Sequence, residues 1–193
     1  MNDDSPIIIV NLKAYEQGYG ANGYDLCKIM EEIALEHKVN LAAAVSPIDL
    51  VDFSDNLDIP IFAQHVDGVN FGSHTGSILP EAVRYSGAVG TLVNHAECQM
   101  SWEEIEKTIN RCKELDLLTV LCTADIASSE KGSHLNPDMI AVEPPELIGG
   151  DISVSTAKPE IISDTVEVVK KINSDISVPV SYTHLRAHET YTY

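Results

Sequence analysis

The chain has 193 residues and carries 12 Lys and Arg against 30 Asp and Glu, a formal charge of −18 at pH 7. This length predicts one domain with a large buried core, and the acidic balance argues against nucleic acid or an anionic membrane as a partner. The sequence has no C-x-x-C pair, no basic secretory start and no apolar stretch near the ~18 residues that cross a bilayer. These features predict a soluble, cytoplasmic protein. Its four cysteines are predicted to be reduced, buried thiols: Cys27, Cys98, Cys112 and Cys122.

Short apolar runs alternate with helical patterns in the first half of the chain. The runs predict strands over 7–10, 41–45 and 59–63. A helix is predicted over about 23–38, and a short one begins at Ser46-Pro47, since serine followed by proline favours a helix start. A polar loop follows over 64–77.

The same alternation continues in the second half. Strands are predicted over 89–93, 118–122, 139–142 and 176–180. One helix is predicted to begin near residue 80, a second to span about 101–115, a third to end at about residue 133 and a fourth to span about 156–172. The run Ser101-Trp102-Glu103-Glu104 is a capping box, which marks a helix start.

Apolar strands that alternate with amphipathic helices indicate a parallel α/β fold, either a doubly wound sheet or a (β/α)8 barrel. A Gly-x-Gly-x-x-Gly turn after the first strand is typical of the doubly wound nucleotide-binding sheet. Here Asn11-Leu12-Lys13 stands there instead, and polar residues also end strands four and six. We therefore predict the barrel.

Three side chains of different chemistry follow strand ends, namely Lys13, His95 and Glu143. In a barrel such positions meet at one face, and a cation, an imidazole and a carboxylate together suggest proton transfer. Each residue has a simpler interpretation: a solvated charge, a structural histidine, and a strand terminator before two prolines. The cluster His65, Asp67 and His74 lacks tight ligand spacing, so we predict loop packing there and no metal site.

Five strings in this order resemble triosephosphate isomerase, in its shorter archaeal form, over roughly residues 6 to 180. They are Val10-Asn11-Leu12-Lys13, Phe62-Ala63-Gln64-His65-Val66-Asp67, Gly72-Ser73-His74-Thr75-Gly76, Asn94-His95, and Ala141-Val142-Glu143-Pro144-Pro145-Glu146-Leu147-Ile148-Gly149. The resemblance implies interconversion of dihydroxyacetone phosphate and glyceraldehyde 3-phosphate through an enediolate, in glycolysis and gluconeogenesis, without metal or cofactor.

The resemblance also assigns roles to residues. Glu143 is then the base and His95 a neutral electrophile, the pair for which this family is the known example. Lys13 supplies positive charge to the phosphate and the enediolate, and Asn11 positions it or the substrate. The segment after Glu143 is a closing loop whose Ile148 and Gly149 approach the phosphate. The archaeal members of the family suggest a homotetramer.

Two departures from the family pattern stand out. Ala96 replaces the serine that usually follows the histidine, so a hydrogen bond near the site is expected to be missing. From Ser181 to Tyr193 the chain resembles translated vector sequence. We therefore expect a truncated TIM-barrel domain over 1–180, with about seven strands and its last unit missing, a non-native tail over 181–193, and poor stability. A non-catalytic barrel fragment and another phosphosugar-binding barrel enzyme remain the alternatives.

Overall fold

A computed structural model describes residues 6–143 and 159–179 of the chain. The strands in these residues are β1 (Ile7–Asn11), β2 (Asn40–Val45), β3 (Ile61–Ala63), β4 (Gly90–Val93), β5 (Leu118–Thr123) and β6 (Met139–Val142). The α-helices are α1 (Gly20–His37), α2 (Leu50–Asn56), α3 (Pro80–Tyr85), α4 (Trp102–Glu114), α5 (Ile126–Ser133) and α6 (Pro159–Ile172), and a 3-10 turn spans Glu16–Gly18. The predicted alternation of strands and helices is confirmed.

The described residues divide into two compact units, one formed by 6–93 and 100–119 and the other by 94–99, 120–143 and 159–179. In the first unit β1, β2, β3 and β4 pair in parallel in sequence order, and β5 starts beside β4, where Leu118 N donates to Val89 O at 3.0 Å. In the second unit β5 pairs in parallel with β6, up to Thr123 opposite Val142. Sequential parallel pairing is the pattern that a (β/α) barrel requires.

The core of the first unit lies between the strands and the helices that follow them. Side chains of β2 and β3 pack there against α1 and α2, with Phe53 fully buried and its ring edge-to-face with Tyr24 at a centroid distance of 5.9 Å. In the second unit the buried apolar side chains include Leu121, Ile140, Val142, Val169 and Ile176. Strands covered in this way can be apolar along their whole length, which explains the continuous apolar run of β2.

The capping box predicted at Ser101 is present at the start of α4. Ser101 Oγ accepts from Glu104 N at 3.3 Å, and Glu104 Oε2 accepts from Ser101 N at 2.7 Å. Two of the N–H groups that a helix start leaves without an intrahelical partner are thereby satisfied. The local sequence signal was sufficient to place this helix.

Helix α2 begins later than predicted. Ser46 and Pro47 form a turn, closed by Asp49 N donating to Ser46 O at 3.0 Å, and the helix starts only at Leu50. Proline fits both a first helical turn and a tight turn, because in both positions its missing N–H is not needed. The sequence signal was therefore genuine but did not distinguish the two structures.

Three of the four cysteines, Cys27, Cys112 and Cys122, are buried, and all four are free thiols. Burial raises the pKa of the Cys27 thiol to about 11, so this side chain behaves as a small apolar group. Cys98 is exposed, which contradicts the prediction of four buried thiols. It lies in the turn between β4 and α4, outside the packed layers.

The predicted seventh strand is represented by one bridge, between Met139 and Ser177. The first residues of the predicted helix over 156–172, the closing loop and the tail over 181–193 lie outside the described residues. The domain boundary at residue 180 therefore stays a prediction. No helix in the described ranges is both long and apolar enough to span a bilayer.

Gly90 of β4 is expected to tolerate no side chain. A Cβ built there would lie 2.5 Å from Leu118 O and 2.6 Å from Cε1 of the buried Phe62 ring. Gly90→Ala should therefore destabilise the fold by about 1–3 kcal/mol, as overpacking does in other cores. Thermal denaturation of this variant should show a loss of several degrees.

The control for this prediction is Gly20→Ala. Gly20 has open space around its Cβ position but a φ of +49°, so its variant carries backbone strain without a clash. A Gly90→Ala protein that melts at the wild-type temperature would contradict the close approach of β4, β5 and Phe62.

Candidate active site

Two of the predicted side chains lie next to each other in the second unit. His95 Nε2 is 3.7 Å from Glu143 Oε2, and the two side chains are only 10% and 14% exposed. The distance exceeds that of a hydrogen bond, so the imidazole and the carboxylate face each other across a narrow gap. A carboxylate and an imidazole are thus brought together from positions 48 residues apart in sequence.

The backbone assigns the tautomer of His95. Glu97 N donates to His95 Nδ1 at 3.2 Å, so this nitrogen is the acceptor of a neutral ring, and Nε2 carries the proton. The imidazole therefore presents an N–H donor on the side of Glu143.

A turn between β4 and α4 supplies this N–H. It is closed by Cys98 N donating to His95 O at 2.7 Å, and α4 begins only at Trp102. The preceding Asn94 has a φ of +59°, a conformation that asparagine tolerates better than most residues, and its Nδ2 donates to Cys122 O at 3.0 Å. The position of His95 thus comes from a fixed turn and not from a helix N-terminus.

Glu143 is fixed at the end of β6 by its own backbone. Its N–H donates to Thr123 O at 2.7 Å, which continues the pairing of β5 and β6 by one residue. The thiol of Cys122 lies against the carboxylate: burial first, and then the charge of Glu143 and a hydrogen bond to it, raise the pKa of Cys122 well above its ordinary value. Cys122 therefore remains a protonated thiol that donates to Glu143.

An open pocket adjoins the carboxylate, lined by Asn94, Ala96, Gln99, Cys122, Thr123, Ala124 and Glu143. A carboxylate on the wall of an open pocket is an arrangement that acid–base catalysis on a small molecule can use.

Asn11 and Lys13 lie together in the first unit, at the end of β1. Asn11 Oδ1 accepts from Lys13 N at 3.0 Å, and Lys13 has a φ of +51°, which is uncommon for a residue with a side chain. Backbone conformations of this kind persist only where neighbouring groups hold them, and they concentrate at functional sites. The structure thus holds the Asn11–Lys13 segment in a specific conformation at the end of β1.

The remaining candidates have different outcomes. Ile148 and Gly149 lie outside the described residues. The predicted loop packing is observed for Asp67, whose carboxylate accepts from Ile78 N at 2.6 Å and lies 3.3 Å from His65 Nε2. No functional role was predicted from the sequence for Gln64 or Cys122. Gln64 directly follows a predicted strand, so the strand-end argument applied to Lys13 could have identified it, whereas nothing in the cysteine spacing pointed to Cys122.

Comparison with solved structures gives the class of the fold. A triosephosphate isomerase from Bartonella henselae, known from a 1.6 Å crystal structure, matches with a TM-score of 0.70 over 91% of this chain and 81% of its own chain, at 15% sequence identity. At this identity the match establishes the fold alone. The chain has the fold of a TIM barrel, in which active sites lie at the carboxyl ends of the strands, and His95 and Glu143 follow two such strand ends.

Sequence comparison gives the family. The family model for triosephosphate isomerase matches residues 6–182. The triosephosphate isomerase of Methanothermobacter thermautotrophicus is 46% identical over 175 residues, which are 91% of this chain and 76% of that protein. The Methanocaldococcus jannaschii enzyme is 45% identical over 172 residues, 89% of this chain and 78% of that protein. The chain belongs to the triosephosphate isomerase family.

Proposed function

We propose that this protein interconverts dihydroxyacetone phosphate and glyceraldehyde 3-phosphate, the isomerisation shared by glycolysis and gluconeogenesis, and that it does so in the cytoplasm. The observation that carries the proposal is the pair formed by Glu143 and the neutral His95, 3.7 Å apart beside an open pocket. One group accepts a proton and the other donates a hydrogen bond, and these are the two functions that an enediolate mechanism needs.

The proposed reaction moves one proton between adjacent carbons. Glu143 removes a proton from C1 of dihydroxyacetone phosphate, and the electron pair of the C–H bond moves to form the C1–C2 double bond while the carbonyl oxygen becomes an oxyanion. The Nε2 proton of His95 stabilises the oxygens of this enediolate, as is known for the family. Return of the proton from Glu143 to C2, with the oxygen-bound proton redistributed from O1 to O2, completes the aldehyde.

Charged and polar groups elsewhere are proposed to hold the substrate. Lys13 supplies a positive charge for the phosphate dianion and the developing oxyanion, Asn11 orients Lys13, and backbone N–H groups at Ile148 and Gly149 bind the phosphate. Such a cation is needed because the chain as a whole carries a charge of −18, which repels a dianionic substrate. Lys13 is therefore proposed as the third catalytic residue.

A homo-oligomer is part of the proposal, and the resemblance to the archaeal form of the family makes a homotetramer its expected form. The exposed large apolar side chains of the first unit include Tyr15 at 63%, Ile48 at 88% and Phe71 at 76%. They lie in the loops that follow β1, β2 and β3, and exposed apolar groups of this size favour burial against another copy.

The test of the proposed function is an assay of the purified protein on several phosphosugars. Turnover of both triose phosphates in coupled assays, with no turnover of ribose 5-phosphate, is the expected result. Turnover of the pentose phosphate alone would instead support a different phosphosugar isomerase on the same barrel. Loss of all turnover in a folded protein would support the non-catalytic alternative.

Ala96 offers a variant that is expected to be faster than the natural chain. Ala96 and Glu143 both line the pocket, so a serine at this position would place a hydroxyl near the base. One added hydrogen bond is worth about 0.5–1.5 kcal/mol, and if it orients Glu143, Ala96→Ser should raise kcat by about two- to tenfold. Ala96→Val adds bulk without a hydroxyl and is the control. An equal fall in kcat for both variants would contradict a role for the hydrogen bond.

A further inference from the structure

The side chain of Gln64 joins the ends of three neighbouring strands. Gln64 follows β3, and its Nε2 donates to Lys13 O at 2.9 Å, to Asn11 Oδ1 at 3.3 Å and to Ala44 O at 3.3 Å. Asn11 and Ala44 lie opposite each other in the register of β1 and β2. Because the amide has only two N–H donors, at least one of them is shared between acceptors.

These contacts converge on Lys13, one of several non-glycine residues in the described ranges with a positive φ. Lys13 has a φ of +51°, and such a left-handed conformation costs roughly 1–2 kcal/mol for a residue with a Cβ. On one side of Lys13 its N–H donates to Asn11 Oδ1, and on the other side its carbonyl accepts from Gln64. The two hydrogen bonds hold both peptide groups that set the conformation of Lys13.

Gln64 also orients the side chain of Asn11, which in turn binds the N–H of Lys13. Asn11 Oδ1 accepts both from Lys13 N and from Gln64 Nε2, so the asparagine amide is oriented by the same side chain that binds the lysine carbonyl. The backbone of Gln64 is itself anchored, since its N–H donates to Val45 O at 3.0 Å. The glutamine is thus a fixed point from which the Asn11–Lys13 segment is positioned.

We propose that Gln64 is a positioning residue of this enzyme, which acts on the phosphate end of the substrate by fixing the backbone of Lys13 and the amide of Asn11. This inference rests on the proposed function, and specifically on the role of Lys13 as the phosphate-binding cation. Gln64 touches neither substrate nor base in this account. Its removal lets Lys13 relax toward an ordinary conformation, which displaces the ammonium group.

The test compares Gln64→Met with a matched structural control. Methionine keeps the length of the side chain and loses both donors, and a displacement of about 1 Å at a catalytic group can cost up to a hundredfold in rate. We expect kcat/KM for glyceraldehyde 3-phosphate to fall at least tenfold, with a rise in KM, and kcat/KM for unphosphorylated glyceraldehyde to fall by a smaller factor, because that substrate loses only the effect of Lys13 on the developing oxyanion. A role in stability alone would lower the melting temperature without this selectivity.

The matched control is Thr91→Val, which removes a buried hydrogen bond from the same region. Thr91 Oγ1 donates to Ala63 O, one residue before Gln64, at 3.3 Å, and to Leu92 O at 2.9 Å. This variant should lose stability with less than a twofold change in KM. If Gln64→Met does not fold, Gln64→Asn replaces it, since its shorter amide cannot reach the carbonyl of Lys13.

A double-mutant cycle with Lys13→Ala separates the inference from the function on which it rests. If Gln64 acts through Lys13, the cost of Gln64→Met in kcat/KM should shrink to less than threefold in the Lys13→Ala background. A full tenfold cost in that background would overturn the positioning role. A Lys13→Ala protein with wild-type kcat/KM would instead overturn the proposed role of Lys13, and the inference with it.

Discussion

Replacement of Glu143 by glutamine should lower kcat for the triose phosphates by about 10²- to 10⁴-fold, the usual contribution of a positioned general base. The amide keeps the size of the side chain and cannot accept the proton from carbon. Because the substrate still fits the same pocket, KM should stay within a few fold of the wild-type value. Steady-state kinetics of the purified variant, with its melting temperature measured in parallel, check this prediction.

Two further variants sharpen the result for Glu143. Glu143→Asp keeps the carboxylate but draws it back by about one bond length, so a loss of about a hundredfold is expected from misplacement alone. Glu130→Gln makes the same chemical change at an exposed position of α5 and should leave kcat unchanged. Activity of Glu143→Gln within tenfold of the wild type would rule out Glu143 as the base.

Replacement of His95 by glutamine should lower kcat by about 10²- to 10³-fold, which is the typical cost of losing one donor to a developing oxyanion. The structure gives the physical reason: Nδ1 is occupied by the N–H of Glu97, so the ring offers its Nε2 proton to the substrate oxygens. A glutamine side chain carries an N–H donor but cannot hold it in the same position. His134→Gln, at an exposed histidine of the same unit, is the control.

The tautomer of His95 can be measured without any variant. Nitrogen-15 NMR of the resting protein should show an unprotonated Nδ1 and a protonated Nε2 for this ring. A protonated Nδ1 would contradict the hydrogen bond from Glu97 N and would remove the donor on which the proposed role of His95 depends. The measurement therefore tests whether Nε2 of His95 carries the proton that the mechanism needs, independently of the kinetics of any variant.

Much of the fold follows from local sequence signals, because strands and capped helices are specified by neighbouring residues. The apolar run of β2 and the capping box at Ser101 predicted elements that the structure contains. A sequence pattern that is compatible with two local conformations was less informative. Ser46-Pro47 fits both a helix start and a turn, and the structure contains the turn. The exposure of Cys98 was missed because its residue type favours burial but its place in a connecting turn does not.

The residues of the candidate site that follow strand ends could be predicted from the sequence, because a barrel brings strand ends to one face. Strand-end positions identified His95 and Glu143, which the structure brings to 3.7 Å, and Lys13, whose unusual backbone the structure adds. The groups that hold these residues were not predictable in the same way. The contacts of Gln64 with Lys13 and of Cys122 with Glu143 join positions 51 and 21 residues apart, and only the folded chain shows them.

Isomerisation in D₂O shows whether this protein moves a proton between the two carbons of a triose phosphate. Proton NMR of glyceraldehyde 3-phosphate formed from dihydroxyacetone phosphate should show deuterium at C2 in a substantial part of the product, because the proton held by Glu143 exchanges with solvent. Product without deuterium at C2, or no product from a folded protein, would contradict the enediolate mechanism proposed for Glu143 and His95.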